Sequence, residues 1–328
     1  MIDQARIGCI LAAALGAPVD DIVAVSPLAG GAVRRHFLIE ARVAGEAQHF
    51  VLRTHGLTPL GIGLALSQEF TLLRVLAAAG LKVPLPVAAS DDPAICGAPF
   101  HVTRWCDGSA DPAAVVGSPR PELAERLGRE LAALQHIVPP MLSMPPAEPA
   151  LAAIEAARAQ LDAVNEARPV AEWAMRRLTA RRPEPRAPVF CHGDFRTGNY
   201  LVQSGRFVAL LDWEFAGWGD PDEDLGWFCS RCWRFGAGHL EAGGIAPRSA
   251  LYRGYAAVSG RLPEPKRVQF WEAMAALKWL VIALRQRDRY LRLGERSLDL
   301  ALTGRRAAEC EYELLRLLSN SEDNERFT

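Results

Sequence analysis

Two hydrophobic periodicities divide the chain. Short apolar runs separated by glycine turns fill the first third, and stretches with a 3.6-residue period fill most of the rest. Residues 3–16 read as an opening helix stopped by Gly16 and Pro18. Strands are predicted at 22–27, 37–43 and 48–53, with turns at 28–33 and 44–46. Residues 67–78 form an amphipathic pattern with Phe70, Leu73, Leu76 and Ala77 on one face, and strands follow at 83–87 and 98–104 around a turn at 91–97. From Asp107 the pattern is helical, with helices predicted at 122–137, about 150–167, 169–181, 249–259, 264–293 and 297–318, and a polar, frayed end after Ser319. The predicted class is α+β, with a small antiparallel β lobe over 1–104 and a larger helical lobe over 105–328.

One stretch of the helical part has strand patterning instead. It runs from Val189 to Asp224 and reads VFCHGDFRTGNYLVQSGRFVALLDWEFAGWGDPDED. The apolar run Val189-Phe190-Cys191 leads into His192-Gly193-Asp194, and Asn199 follows five residues after Asp194. Segments 200–202 and 207–211, joined through Ser204-Gly205, read as a hairpin. An antiparallel hairpin brings its open ends to within roughly 5 Å. Asn199, before the first strand, and Asp212, after the second, are therefore expected to be neighbours. Both carry hard oxygens, the donors that magnesium prefers, with phosphates to complete its shell.

His-x-Asp-x-x-x-x-Asn followed by an Asp at a strand end matches the catalytic loop and metal-binding Asp of protein kinases. Gly193 replaces the kinase Arg, and Asp212-Trp213-Glu214 replaces Asp-Phe-Gly. In these details, and in Gly219-Asp220-Pro221 and Asp224-Leu225, the chain resembles the aminoglycoside phosphotransferase and choline kinase-like family. It is most similar to the branch related to kinase domains fused to acyl-CoA dehydrogenases. The resemblance covers nearly the whole chain and is strongest over 189–228. It implies a protein-kinase-like two-lobed fold and Mg-ATP-dependent phosphorylation of a small-molecule hydroxyl. Asp194 would orient that hydroxyl and accept its proton, Asn199 and Asp212 would hold Mg2+, and His192 and Asp224 would brace the loop.

The first third then takes on meaning. Gly30 and Gly31 lack a Cβ and would let backbone N–H groups approach phosphates. Val33 stands where the family often has a small hydroxyl residue. Arg53 occupies the place of the usual kinase Lys; it is permanently charged, offers two donors to a phosphate oxygen, and has Glu69 as its expected partner. By resemblance, Arg104, Trp105 and Cys106 form the hinge whose backbone meets adenine.

Composition narrows the alternatives. A net charge of −1 over 328 residues gives no global electrostatic case for nucleic acid. Seven cysteines without framework spacing suit a reducing cytosol, and Cys229-x-x-Cys232 has no second pair to make a zinc site. With no signal-peptide pattern and no run near the about 20 residues of a membrane span, the expected location is cytoplasmic, with no membrane partner. Residues 225–310 hold thirteen Arg and two Lys against seven acidic residues, a local charge of +8. Arg231 and Arg234, interleaved with Trp233 and other aromatics, point to an anionic, partly apolar acceptor such as a hydroxy acid or its CoA ester, rather than a polycationic aminoglycoside. The competing readings are a true aminoglycoside kinase, a nucleotide-binding pseudokinase or scaffold without turnover, and a metal phosphohydrolase, which would need more metal ligands than this cluster offers. Oligomeric state is left open.

Overall fold

The computed structural model describes residues 2–28, 34–55 and 63–319. The glycine turn with Gly30, Gly31 and Val33, and the polar end after Ser319, lie outside the described residues.

In chain order the elements are α1 (Gln4–Leu15), β1 (Val19–Leu28), β2 (Arg34–Val43), β3 (Glu46–His55), α2 (Leu66–Ala78), β4 (Pro86–Ser90), α3 (Pro93–Cys96) and β5 (Phe100–Arg104). Then come α4 (Pro121–Leu134), α5 (Pro149–Val164), α6 (Pro169–Ala180), β6 (Val189–Cys191), β7 (Tyr200–Gln203), β8 (Arg206–Leu210) and β9 (Gly217–Gly219). The last are α7 (Glu223–Cys229), α8 (Arg248–Ser259), α9 (Pro265–Leu291), α10 (Leu298–Arg305) and α11 (Ala307–Ser319).

These elements form two compact units. One comprises residues 1–109, 139–141 and 200–216; the other comprises 110–138, 142–199 and 217–328. The first is built on a five-stranded antiparallel sheet of order β1-β2-β3-β5-β4. Alternation along β2 buries Phe37, Ile39, Ala41 and Val43, which pack with Phe50, Leu52, Phe100 and Val102 against Ile7 and Leu11 of α1. The β7–β8 hairpin also falls in this unit, a grouping that one boundary at residue 104 does not contain. The physical reason is hydrogen bonding: Leu210 N–H donates to Lys82 O (2.8 Å), and Ser109 and Val202 exchange backbone bonds at 2.9 and 3.0 Å. Ser204 and Gly205 turn the hairpin with φ 49° and 76°, the left-handed pair that a type I′ turn requires.

The second unit is helical around α9, whose 27 residues touch α5, α6, α7, α10 and α11. Its core joins Ile154 and Leu161 of α5, Leu178 of α6, Leu277, Leu280 and Leu284 of α9, and Leu314 of α11. Two expectations shift. The strand expected at 83–87 begins at Pro86, because a proline cannot donate to a ladder and is tolerated at a strand's first residue. The single helix expected over 297–318 breaks at Arg306, and each half packs separately on α9. At Gly304 a Cβ would lie 2.7 Å from Arg287 Cβ, so only glycine allows that approach.

Candidate active site

In the second unit, β6 pairs antiparallel with β9, and the chain leaves β6 directly into the 192–199 loop. Asp224, in the first turn of α7 and fully buried, fixes that exit. Its Oδ2 accepts His192 N–H at 2.7 Å and its Oδ1 accepts Gly193 N–H at 3.0 Å. Burial pushes the Asp224 carboxyl up, while His192 and the two N–H bonds oppose that shift. His192 is itself buried, and its Nδ1 accepts the Asp194 N–H at 3.3 Å. The loop thus holds Asp194 with its own backbone already satisfied.

Three side chains fix the Asp194 carboxylate. Asn199 Nδ2 donates to Oδ2 at 2.6 Å, Trp227 Nε1 to Oδ1 at 2.8 Å, and Arg196 Nε reaches both oxygens at 3.2 Å. Asn199 Nδ2 also reaches Asp194 O at 3.0 Å, which turns the Asn199 amide oxygen away from Asp194. Lys278 of α9 donates to Gly193 O at 2.6 Å and lies 4.8 Å from the Trp227 ring centroid. Sequence reasoning missed Arg196 and Lys278, and counted Trp227 only among the aromatics around Arg231 and Arg234. Trp227 sits three residues after Asp224, on the same side of α7, which is a usable signal. Lys278 lies 85 residues from Gly193 and carried none.

The first unit holds a charged cluster. Arg53 of β3 places Nη1 at 2.9 Å from both Glu69 Oε1 of α2 and Asp212 Oδ1, and Nη2 at 3.3 Å from Glu214 Oε2. Arg34, absent from the sequence expectations, reaches the same Glu214 oxygen at 3.2 Å. Burial opposes ionisation of Glu69, yet Arg53 and His101 outweigh it and hold the carboxyl down at about 2. For Glu214 burial prevails over Arg53 and pushes the carboxyl up to about 7. Asp212 has φ 59°, an uncommon backbone conformation for a residue with a Cβ. Arg53 Nε is buried without a partner, a donor left unspent.

At the expected hinge, Arg104 N–H donates to Leu85 O (2.8 Å) and Trp105 N–H to His49 O (3.1 Å), so both donors are committed within the protein. The Trp105 indole donates to Asp107 Oδ1 at 3.0 Å, and the Arg104 side chain to Gln48 Oε1 at 3.0 Å. Cys106 is half-buried, with its thiol pushed up by burial and by Asp107.

Arg234 and Trp233, expected at the acceptor, have most of their surface committed within the protein. Arg234 is 8% exposed and donates to Cys229 O, Gly238 O and Glu272 Oε1. Trp233 is buried, its ring 5.4 Å from Trp227 and 4.9 Å from Trp279, with Arg196 stacked 4.6 Å from its centroid. Arg231 and Arg234 line a cavity of about 610 Å³ with Arg248 and Arg316, and no residue of the 192–199 loop lines it. Part of the +8 excess is met by carboxylates outside 225–310, while other arginines pair with acidic residues already counted within that window. Arg267 and Arg261 bind Asp220 and Asp222, Arg248 binds Glu241 and Glu272, Arg287 binds Glu166, and Arg289 binds Glu295. Cys229 and Cys232 are free thiols, Cys229 pushed up by burial to about 12. Among the described residues, no helix is long and apolar enough to cross a membrane.

Comparison with known proteins gives this geometry a family. Over 180 residues, half of this chain, it is 24% identical to acyl-CoA dehydrogenase family member 10 of Mus musculus, and the match spans 16% of that protein's length. The fold matches a protein of Ralstonia eutropha JMP134 assigned to the aminoglycoside phosphotransferases, with TM-score 0.75 and 21% identity over 98% of this chain and all of the other. It also matches a spectinomycin phosphotransferase solved with ADP and spectinomycin, with TM-score 0.65 and 12% identity over 96% and 98% of the two chains. These similarities establish the kinase-like α+β fold. Residues 24–271 of the 328 match the model of one family, and the chain accordingly belongs to the phosphotransferase enzyme family, APH.

Proposed function

We propose that this family member is a kinase that transfers the γ-phosphate of ATP to the hydroxyl of a small molecule, a hydroxy acid or its CoA ester rather than an aminoglycoside. The observation that carries the reading is the Asp194 carboxylate, fixed by Asn199, Trp227 and Arg196 at the tip of a loop pinned by Asp224. Asp194 aligns the acceptor hydroxyl and takes its proton as that oxygen attacks the γ-phosphorus. The bond from the γ-phosphorus to the β–γ bridging oxygen breaks, leaving a phosphomonoester and ADP. Arg53 meets a phosphate oxygen through its guanidinium, which already serves Asp212 at the same place. With two N–H groups of the hinge committed, adenine recognition falls to the remaining backbone groups of residues 104–106.

Each of the two residues expected to hold magnesium, one in each unit, carries a donor of the kind that ion prefers. Asp212 supplies a partly exposed carboxylate and Asn199 an amide oxygen turned away from Asp194, a small set of hard oxygens that leaves most of the shell to phosphates and water. When bound there, the ion would neutralise phosphate oxygens. A polycationic acceptor needs uncommitted carboxylates beside the loop, and Asp224, Asp220 and Asp222 are all engaged within the protein.

A screen with γ-labelled ATP across alcohols, amino alcohols, hydroxy acids, their CoA esters and kanamycin-type aminoglycosides tests the reading. For an acceptor found this way, Asp194→Asn is expected to lower kcat by about 10²–10⁴ while Mg-ATP affinity holds. Turnover by that variant within a few-fold of the parent would remove Asp194 from the mechanism.

A further inference from the structure

A cavity of about 200 Å³ opens inside the second unit between α5, α7 and α9. Its shape follows from the sequence. Ala153, Ala156 and Ala157, at i, i+3 and i+4 spacing, present one short-side-chain face of α5, and Met274 and Val281 of α9 stand opposite. The alanines hold that wall back where longer side chains would close the gap. Gly193, the residue before Asp194, is among the residues that line it.

The polar tips on its walls are engaged elsewhere. Trp227 Nε1 donates to Asp194, Lys278 Nζ donates to Gly193 O, and Asp224 is taken up by the His192 and Gly193 N–H groups. Of the three remaining polar lining side chains, Trp271 Nε1 donates to Asp220 Oδ1 at 3.0 Å, Gln160 accepts from Arg285 at 3.4 Å, and Glu223 shares the field of Lys278. What faces the space is mainly methyl, methylene and indole carbon. A cationic ligand would meet Lys278, and an anionic one would meet Glu223 and Asp224, so an uncharged occupant fits best. An apolar cavity of about 150 Å³ holds a six-carbon ring, and this one is somewhat larger.

We propose that this cavity receives the uncharged hydrocarbon body of the acceptor, a chain or ring of about six to eight carbons, whose hydroxyl emerges at Gly193 beside Asp194. The inference rests on the phosphoryl-transfer reading above and adds the acceptor's shape to it. Charged parts of the acceptor stay outside.

The test uses 1-butanol and 1-octanol as probes. Binding is measured by calorimetry on the full chain without nucleotide, and transfer by label from γ-labelled ATP. 1-Octanol is expected to bind at least about 30-fold more tightly than 1-butanol, since its four extra methylenes are buried. Ala156→Leu puts a good helix former into the cavity; it is expected to weaken 1-octanol at least about 10-fold and leave 1-butanol within about 3-fold. Val281→Ala, which enlarges the space, is expected to shift the preferred alcohol to a longer chain. Equal affinity for the two alcohols, 1-octanol binding unmoved by both variants, or kanamycin turnover that Ala156→Leu leaves intact would each overturn the inference. Binding that follows the expected pattern without label transfer to any hydroxyl would instead refute the kinase reading, and transfer that ignores chain length would refute only the cavity's role.

Discussion

Arg53→Met tests whether the charged cluster of the first unit exists as described. Arg53 is 7% exposed and Glu69 1%, and one guanidinium nitrogen serves Glu69 and Asp212 together at 2.9 Å each. Removing one partner of a buried ion pair costs about 3–5 kcal/mol, mostly because the remaining charge is stranded. Arg53→Met takes the arginine from Glu69 and from the partly exposed Asp212 while Arg34 still holds Glu214, so a loss within that range is expected. Arg53→Lys retains one ammonium that can serve Glu69 and Asp212 but not Glu214 as well; a loss of about 1–2 kcal/mol follows from one charged hydrogen bond. Glu69→Gln should be costly in the parent and much less so in the Arg53→Met background, where of the partners Arg53 and His101 only His101 still faces the buried carboxylate. The assay is urea denaturation of the parent, both single variants and the double variant at pH 8. A coupling of about 2–4 kcal/mol is expected between the two positions. Coupling within about 0.5 kcal/mol, the scatter of independent sites, would show that Arg53 and Glu69 do not pair in solution.

Two more predictions concern the catalytic loop's supports. Asp224→Asn replaces one acceptor oxygen with a donor facing either the His192 or the Gly193 N–H, and a loss of about 3–5 kcal/mol is expected from one charged bond plus one stranded N–H. Equilibrium unfolding checks this, and a loss below about 1 kcal/mol would contradict the two-bond geometry. Glu223, pushed up by burial from 4.5 to about 7, binds a proton more readily folded than unfolded. Its contribution is therefore fully present below pH 4.5 and lost as pH rises through about 7. Unfolding free energies measured from pH 4 to 8 should fall less steeply for Glu223→Gln, and parallel profiles would refute the assignment.

How much of this was legible depends on the distance over which each feature is determined. The β7–β8 hairpin was readable because Ser204-Gly205 and the flanking apolar runs lie within a dozen residues. The Arg53–Glu69 pair was reachable only through resemblance, since their 16-residue separation has no periodic meaning. Arg234 shows the opposite failure. A count of charges over 225–310 cannot see that Glu272 of α9 and the Cys229 carbonyl consume its donors. Nor can it see that Asp220 and Asp222, just outside the window, take Arg261 and Arg267. Lys278 was silent for a related reason: a lysine within a 27-residue helix reads as solvated until tertiary packing places it under Gly193.

The non-contiguous composition of the two units sets an order of events during biosynthesis. Arg34 and Arg53 emerge from the ribosome long before Glu214, and Lys82 O must wait for the Leu210 N–H. The nascent sheet therefore carries two arginines short of a carboxylate until more than a hundred further residues have been translated. At about 5–20 residues per second that interval lasts roughly 5–30 s. By then the five strands of the sheet, all within residues 19–104, have been made and α4, α5 and α6 have left the exit tunnel, so the sheet's own pairing can precede its contacts with residues 200–216. Residues 200–216 are the late-arriving piece that completes the first unit.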